Sequence, residues 1–225
     1  MGSDHLALSR WTWGYLGLVA FSLLGSLFSH LTHLDPGVIA PVTAILTLLV
    51  GLVAAFGTDR TAFRGVLAIV LLGTVVELVG VRTGFPFGTY AYTSRWWPVI
   101  YLPGFGWFPL LVPLAWALIA GASSLVAARL VSSPAPRVLL GGLLAAVLDL
   151  VMEPVMTGTL GYWVWQGKGP LPGGAPVANF FGWFGTSVLA GLVLTATGQP
   201  SRRPNDPLAV LLGHLGLVVG LGLIG

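Results

Sequence analysis

The sequence predicts an all-α integral membrane protein of about seven transmembrane helices, on three observations. Hydrophobic residues make up 56% of its 225 positions. Charged residues make up only 8%, where soluble domains carry about 25%, and the mean hydropathy is +0.91. The apolar residues also gather into stretches long enough to cross a hydrocarbon core, which takes about 20 residues of helix.

Seven stretches qualify in order: 11–31, 38–56, 63–81, 105–127, 138–156, 178–196 and 208–224. The first is too long for a signal-peptide core and lacks a small-residue cleavage site, so it reads as a span. Turn chemistry separates the stretches: Asp35-Pro36-Gly37, Thr58-Asp59-Arg60, Ser132–Arg137 and Gln199–Pro207. The seventh is the shortest, with no charged residue after it. The whole reads as one polytopic domain, 1–225. Arg10, Arg60, Arg64, Arg129, Arg137, Arg202 and Arg203 fall on the N-terminal side, against Arg82, Arg95 and Lys168 on the other. By the positive-inside rule this bias predicts a cytoplasmic N-terminus in the cell membrane. It sets topology and gives no argument for nucleic-acid binding. Two long loops, 82–104 and 157–177, then lie on the outer side, rich in Gly, Pro, Trp and Tyr.

Spans 3–4 and 5–6 read as parallel internal repeats. Phe105-Gly106-Trp107-Phe108 recurs as Phe181-Gly182-Trp183-Phe184, and Glu77 and Glu153 each precede their copy by 28 residues. Each unit is an acid near the outer end of a helix, an aromatic loop, and FGWF opening the returning helix. Parallel repeats can place a site between two halves.

An ionisable residue inside a span is costly and marks a site by default. Glu77, Asp149 and Glu153 qualify. Asp149 and Glu153, spaced i,i+4, share one helical face with Ala146, Ala145 and Gly142; Glu77 shares its face with Gly73 and Gly80. Small-residue faces pack inward in membrane bundles. Span 1 adds Ser22, Ser26, Ser29, His30 and His33, with Asp35 and Arg82 at the same depth. These residues predict a polar pocket opening outward. Blander readings exist for each member. Glu77 could pair with Arg82 as an interfacial anchor, Asp149 could bond a neighbouring helix, and Glu153 before Pro154 could sit at a wetted helix end. The two histidines could be solvated, and the FGWF rings an aromatic belt.

Other chemistries lack support. Without cysteine there is no disulfide, iron–sulfur or thiolate metal site, and the single lysine, Lys168, lies in a loop. No P-loop, GxGxxG, GxSxG or HExxH occurs. The HxxHxD of His30, His33 and Asp35 is weak evidence for a metal, and we expect none. Carboxyl groups clustered in low dielectric resist ionisation, and one that keeps its proton can act as a general acid. Delivered to an alkene, that proton makes a tertiary carbocation, which aromatic faces stabilise and water can capture. No cofactor is needed.

ELVGVRTGFPFGTYAYT, YLPGFGWFPLLVPLAW, DLVMEPVM, GYWVWQ and PVANFFGWF together resemble the carotenoid-biosynthesis membrane family that includes carotenoid 1,2-hydratases of the bisanhydrobacterioruberin hydratase type. The resemblance covers about residues 60–195. It implies addition of water across the terminal C1–C2 double bond of an acyclic carotenoid end, as in lycopene, γ-carotene or a bacterioruberin precursor. The expected partners are a carotenoid substrate within the bilayer, lipids and other enzymes of the pathway. On position and chemistry rather than on the resemblance, Glu77, Asp149 and Glu153 are the candidate catalytic residues. Arg82, His30, His33 and Asp35 would support them, with Tyr90, Trp107, Tyr162, Trp163, Asn179 and Trp183 lining the pocket. A lycopene-cyclase-like enzyme, or a non-enzymatic carotenoid- or lipid-binding or proton-coupled transport protein, is the competing expectation.

Overall fold

In a computed structural model, which describes residues 7–198, 200 and 203–225, seven helices are long and apolar enough to cross a membrane. They are α1 (Arg10–Thr32), α2 (Ile39–Phe56), α3 (Arg60–Thr83), α4 (Val112–Leu130), α5 (Pro134–Pro154), α6 (Val177–Thr197) and α7 (Asp206–Ile224). The protein is an α-helical multi-pass membrane protein. Arg202, used above for topology, lies outside the described residues.

Local chemistry sets the helix ends. Ser9 caps α1 by accepting from the Thr12 N–H, and Asp59 caps α3 by accepting from Ala62 at 2.7 Å. Gly84 closes α3 at φ 77°, a left-handed conformation that costs glycine little. Thr12 Oγ1 donates to Asp206 Oδ1 at 2.7 Å and the Ser9 N–H to the same atom at 2.9 Å, fastening the start of α1 to the start of α7.

α4 is the hub. It packs against α2, α3, α5, α6 and α7, and its residues from Trp116 to Ala127 are buried throughout. α1 is peripheral, held by α2 and α7. The small residues on the faces of the acids allow close approach, as expected. A Cβ on Gly73 would stand 2.8 Å from the Trp116 Cβ, and one on Gly80 would stand 2.8 Å from the Tyr90 hydroxyl.

The spans are all helical, as expected, and the loops between them add one feature. The two aromatic loops meet in a four-stranded antiparallel sheet of β1 (Tyr90–Tyr92), β2 (Val99–Leu102), β3 (Gly106–Pro109) and β4 (Trp163–Trp165), in the order β2-β3-β1-β4. β1 and β4 come from different loops and pair Tyr90 with Trp165 and Tyr92 with Trp163. The sheet caps the bundle where α3 and α5 finish. The first FGWF does not open a helix: Gly106–Pro109 pairs with Val99–Leu102, so α4 begins only at Val112. The second FGWF does lie in α6. The same four residues adopt different structures because only the first copy has a hairpin partner upstream.

Gly73→Ala should lower the apparent Tm of the detergent-solubilised protein, by about 1–3 kcal/mol of overpacking, because the rigid Trp116 Cβ cannot swing aside. Gly17→Ala, with nothing within 4 Å of the added Cβ, should leave Tm unchanged or slightly raised.

Candidate functional site

Glu77 sits on the inward face of α3 between Gly73 and Gly80 and is only 5% exposed. Three neutral donors hold it. The Tyr90 and Tyr92 hydroxyls donate to Oε2 at 2.6 and 2.8 Å, and Trp116 Nε1 donates to Oε1 at 2.7 Å. Strand periodicity explains the tyrosines, since residues two apart on β1 face the same way. Burial, then the charge of Glu77, pushes both phenols well above the usual tyrosine range, so both keep the protons they donate.

The second cluster is built on α5 and the first turn of α6. Asn179 Nδ2 donates to Asp149 Oδ2 at 2.7 Å and to Glu153 Oε1 at 3.0 Å, bridging two carboxyls one helical turn apart. Trp165 Nε1 donates to Glu153 Oε2 at 3.0 Å. Asp149 is fully buried, and its Oδ1 has no hydrogen-bond partner. Just beyond Glu153, Pro154 ends the regular ladder because it has no N–H to give, and the chain widens into a π turn over Val155–Thr159.

Glu77 and Glu153 face one cavity of about 50 Å³. Its walls are aromatic: Phe87, Trp96, Trp163 and Trp183 join the donors Tyr90, Tyr92, Trp116 and Trp165. Trp116 stacks on Trp183 with centroids 3.9 Å apart. Among the described residues, no lysine or arginine lines this cavity. A second cavity of about 450 Å³ lies among α1, α2, α4, α5 and α7, and shares Trp96, Ala115, Ile119, Met152 and Trp163 with the first.

The expected site residues divide accordingly. Glu77, Glu153, Tyr90, Trp163, Asn179 and Trp183 come together around the small cavity. Asp149 does not line it but stands behind Asn179. Tyr162 stacks on Trp96 at 5.0 Å and, with His30, lines the larger cavity instead. Arg82, His33, Asp35 and Trp107 line neither cavity. Arg82 reaches outward to the Gly104 carbonyl at 3.0 Å, so it does not pair with Glu77. His33 ends α1 in a left-handed conformation, and Asp35 accepts from the Gly37 N–H. Both belong to the exposed α1–α2 turn. Trp107 is 40% exposed on the sheet and packs edge-on against Tyr101.

Tyr92, Trp116 and Trp165 escaped the sequence reading, although each donates directly to an acid. Signals for them exist. YAY and WVW alternate with the period of a strand, and Trp116 lies within a long apolar stretch.

Residues 36–224 match a family described as "Carotenoid biosynthesis protein". Over 134 residues the chain is 31% identical to a bisanhydrobacterioruberin hydratase from Haloarcula japonica. That match covers 56% of this chain and 42% of the relative, so it spans less than half the length of that protein. No solved structure matches the chain. The chain belongs to the carotenoid biosynthesis protein family.

Proposed function

We propose that the protein is a carotenoid hydratase of the cell membrane that adds water to the terminal C1–C2 double bond of an acyclic carotenoid end. One observation carries the reading: two glutamates from different helices face a single small, aromatic-walled cavity. Family membership and the hydratase relative support it independently.

The hydrogen bonds suggest a division of labour. Glu77 receives three donors, the arrangement that suits an ionised carboxylate. Glu153 shares the Asn179 amide with Asp149, and a single proton on that pair removes the repulsion of two adjacent anions. Glu153 therefore donates its proton to C2 of the alkene, leaving a tertiary cation at C1. The faces of Trp116, Trp163 and Trp183 and the negative charge of Glu77 stabilise the cation. Water adds at C1 and gives up a proton to Glu77, which passes it back through solvent to Glu153. The sum is one water added and no cofactor consumed. Asp149 and Asn179 are positioning residues, setting the orientation and proton of Glu153.

Expression in lycopene-producing cells should give a more polar carotenoid heavier by one water, read by chromatography and mass spectrometry. An isomer of unchanged mass would mean ring closure and the cyclase-like reading; unaltered lycopene, γ-carotene and bacterioruberin precursors would sink both enzymatic readings. Glu153→Gln should lower turnover by about 10²–10⁴-fold, the usual contribution of a general acid. Tyr92→Phe, which removes one of three donors to Glu77, should cost roughly tenfold, and full activity in both variants would reject these roles.

A further inference from the structure

The small cavity cannot hold a carotenoid. At about 50 Å³ it has room for on the order of four water-sized groups, which is the branched tip of an isoprenoid chain. The rest of the substrate has to lie elsewhere, and the small cavity meets the larger one at five shared residues. Four of those are bulky: Trp96, Ile119, Met152 and Trp163. The fifth is Ala115, one residue before the Trp116 that holds Glu77.

The larger cavity suits an apolar chain. Leu48, Leu118, Met156, Leu217 and Leu221 contribute to its wall. Three of its hydroxyls are satisfied within their own helices. Ser22 donates to the Leu18 carbonyl, Thr43 to Ile39 and Thr47 to Thr43, each within its own helix at 2.7–2.9 Å. A hydrocarbon beside these three therefore strands none of their protons, while His214, whose Nε2 has no partner, marks a polar spot in the wall. Along α7 the cavity runs from His214 to Ile224, roughly 15 Å at 1.5 Å per residue. A C40 polyene is about as long as the hydrocarbon core, about 30 Å, so the cavity takes half of one. Its rim includes the exposed Phe21 and Ile39 of α1 and α2, where the other half can leave for lipid.

We infer that the larger cavity is the bay for the polyene arm of the substrate, that Ala115 keeps open the passage between bay and acids, and that the bay reads only the reacting half of the molecule. This rests on the hydratase reading for its substrate. The chemistry of an acyclic end fits the passage: two saturated carbons separate the terminal alkene from the rigid conjugated chain, so the tip can turn while the polyene stays straight.

Two variants test it, one at each end of the bay. Ala115→Leu narrows the passage, and Ala44→Phe fills the bay from an exposed position on α2, where folding is least affected. Each should lower hydration of lycopene at least tenfold. Ala44→Phe should leave hydration of a C10 isoprenoid alkene bearing the same terminal group within about twofold of wild type. Lycopene turnover at the wild-type rate in both variants, or equal loss of both substrates in Ala44→Phe, would overturn the inference and leave the hydratase reading intact. A binding readout is independent of turnover: in the Glu77→Gln/Glu153→Gln protein, lycopene should quench tryptophan fluorescence through Trp96 and Trp163, and Ala44→Phe should abolish that quenching. Quenching unchanged by Ala44→Phe would place the polyene elsewhere, even if the wild-type protein hydrates nothing.

Discussion

Among the described residues, Glu77, Asp149 and Glu153 are buried in the membrane bundle with no cation beside them, and the surrounding structure answers that constraint. A charge in low dielectric needs either a counter-ion or several well-aimed donors. Arg82 is spent on the Gly104 carbonyl outside the cavity. Donors therefore come from neutral side chains, two tyrosines and a tryptophan at Glu77, a tryptophan and an asparagine at the Asp149–Glu153 pair. Neutral donors satisfy a carboxylate without cancelling its charge. In the hydratase reading proposed above, an ionised Glu77 gives the cavity a negative potential, useful where a carbocation forms and self-defeating where an anion must bind.

The same requirement explains the central position of α4 and the presence of a sheet in a helical protein. Trp116 reaches Glu77 only because Gly73 lets α3 and α4 nearly touch. Tyr90 and Tyr92 reach it only if their loop is extended, so that both hydroxyls point the same way, and a single extended strand at a bundle end has unpaired backbone groups. β3 and β4 pair with it on either side. Aromatic packing then seals the layer, with Tyr92 edge-on to Phe108 and Trp163.

Much of this was legible in the sequence, and the limits were physical. Span number and the inward small-residue faces follow from one-dimensional patterns, since a membrane helix carries its length and its packing face in its own residues. Glu77, Asp149 and Glu153 stood out because charge inside a span is rare. Asn179, Trp163 and Trp183 were expected on the pocket and line it. Where the reading slipped, the cause was non-local. Arg82 was expected to support the acids, yet the helix end turns it outward to a carbonyl in another segment. Whether Phe105–Phe108 is helix or strand depends on a hairpin partner, which a matching tetrapeptide does not reveal. The π turn after Glu153 and the pairing of loops far apart in sequence leave no periodic signature at all.

The pairing of β1 with β4 has a consequence of its own. Tyr90 and Tyr92 serve one glutamate, Trp165 serves the other, and all three are carried by the same two strands in one register. Side chains alternate across a sheet, so a slip of one residue would turn Trp165 away from Glu153 or both tyrosines away from Glu77. The two acids are thus keyed to each other by backbone hydrogen bonds rather than by contact. The cap works as a combination lock with a single open setting: a molecule whose loops have not zipped correctly holds two badly solvated carboxyls and no half-working site.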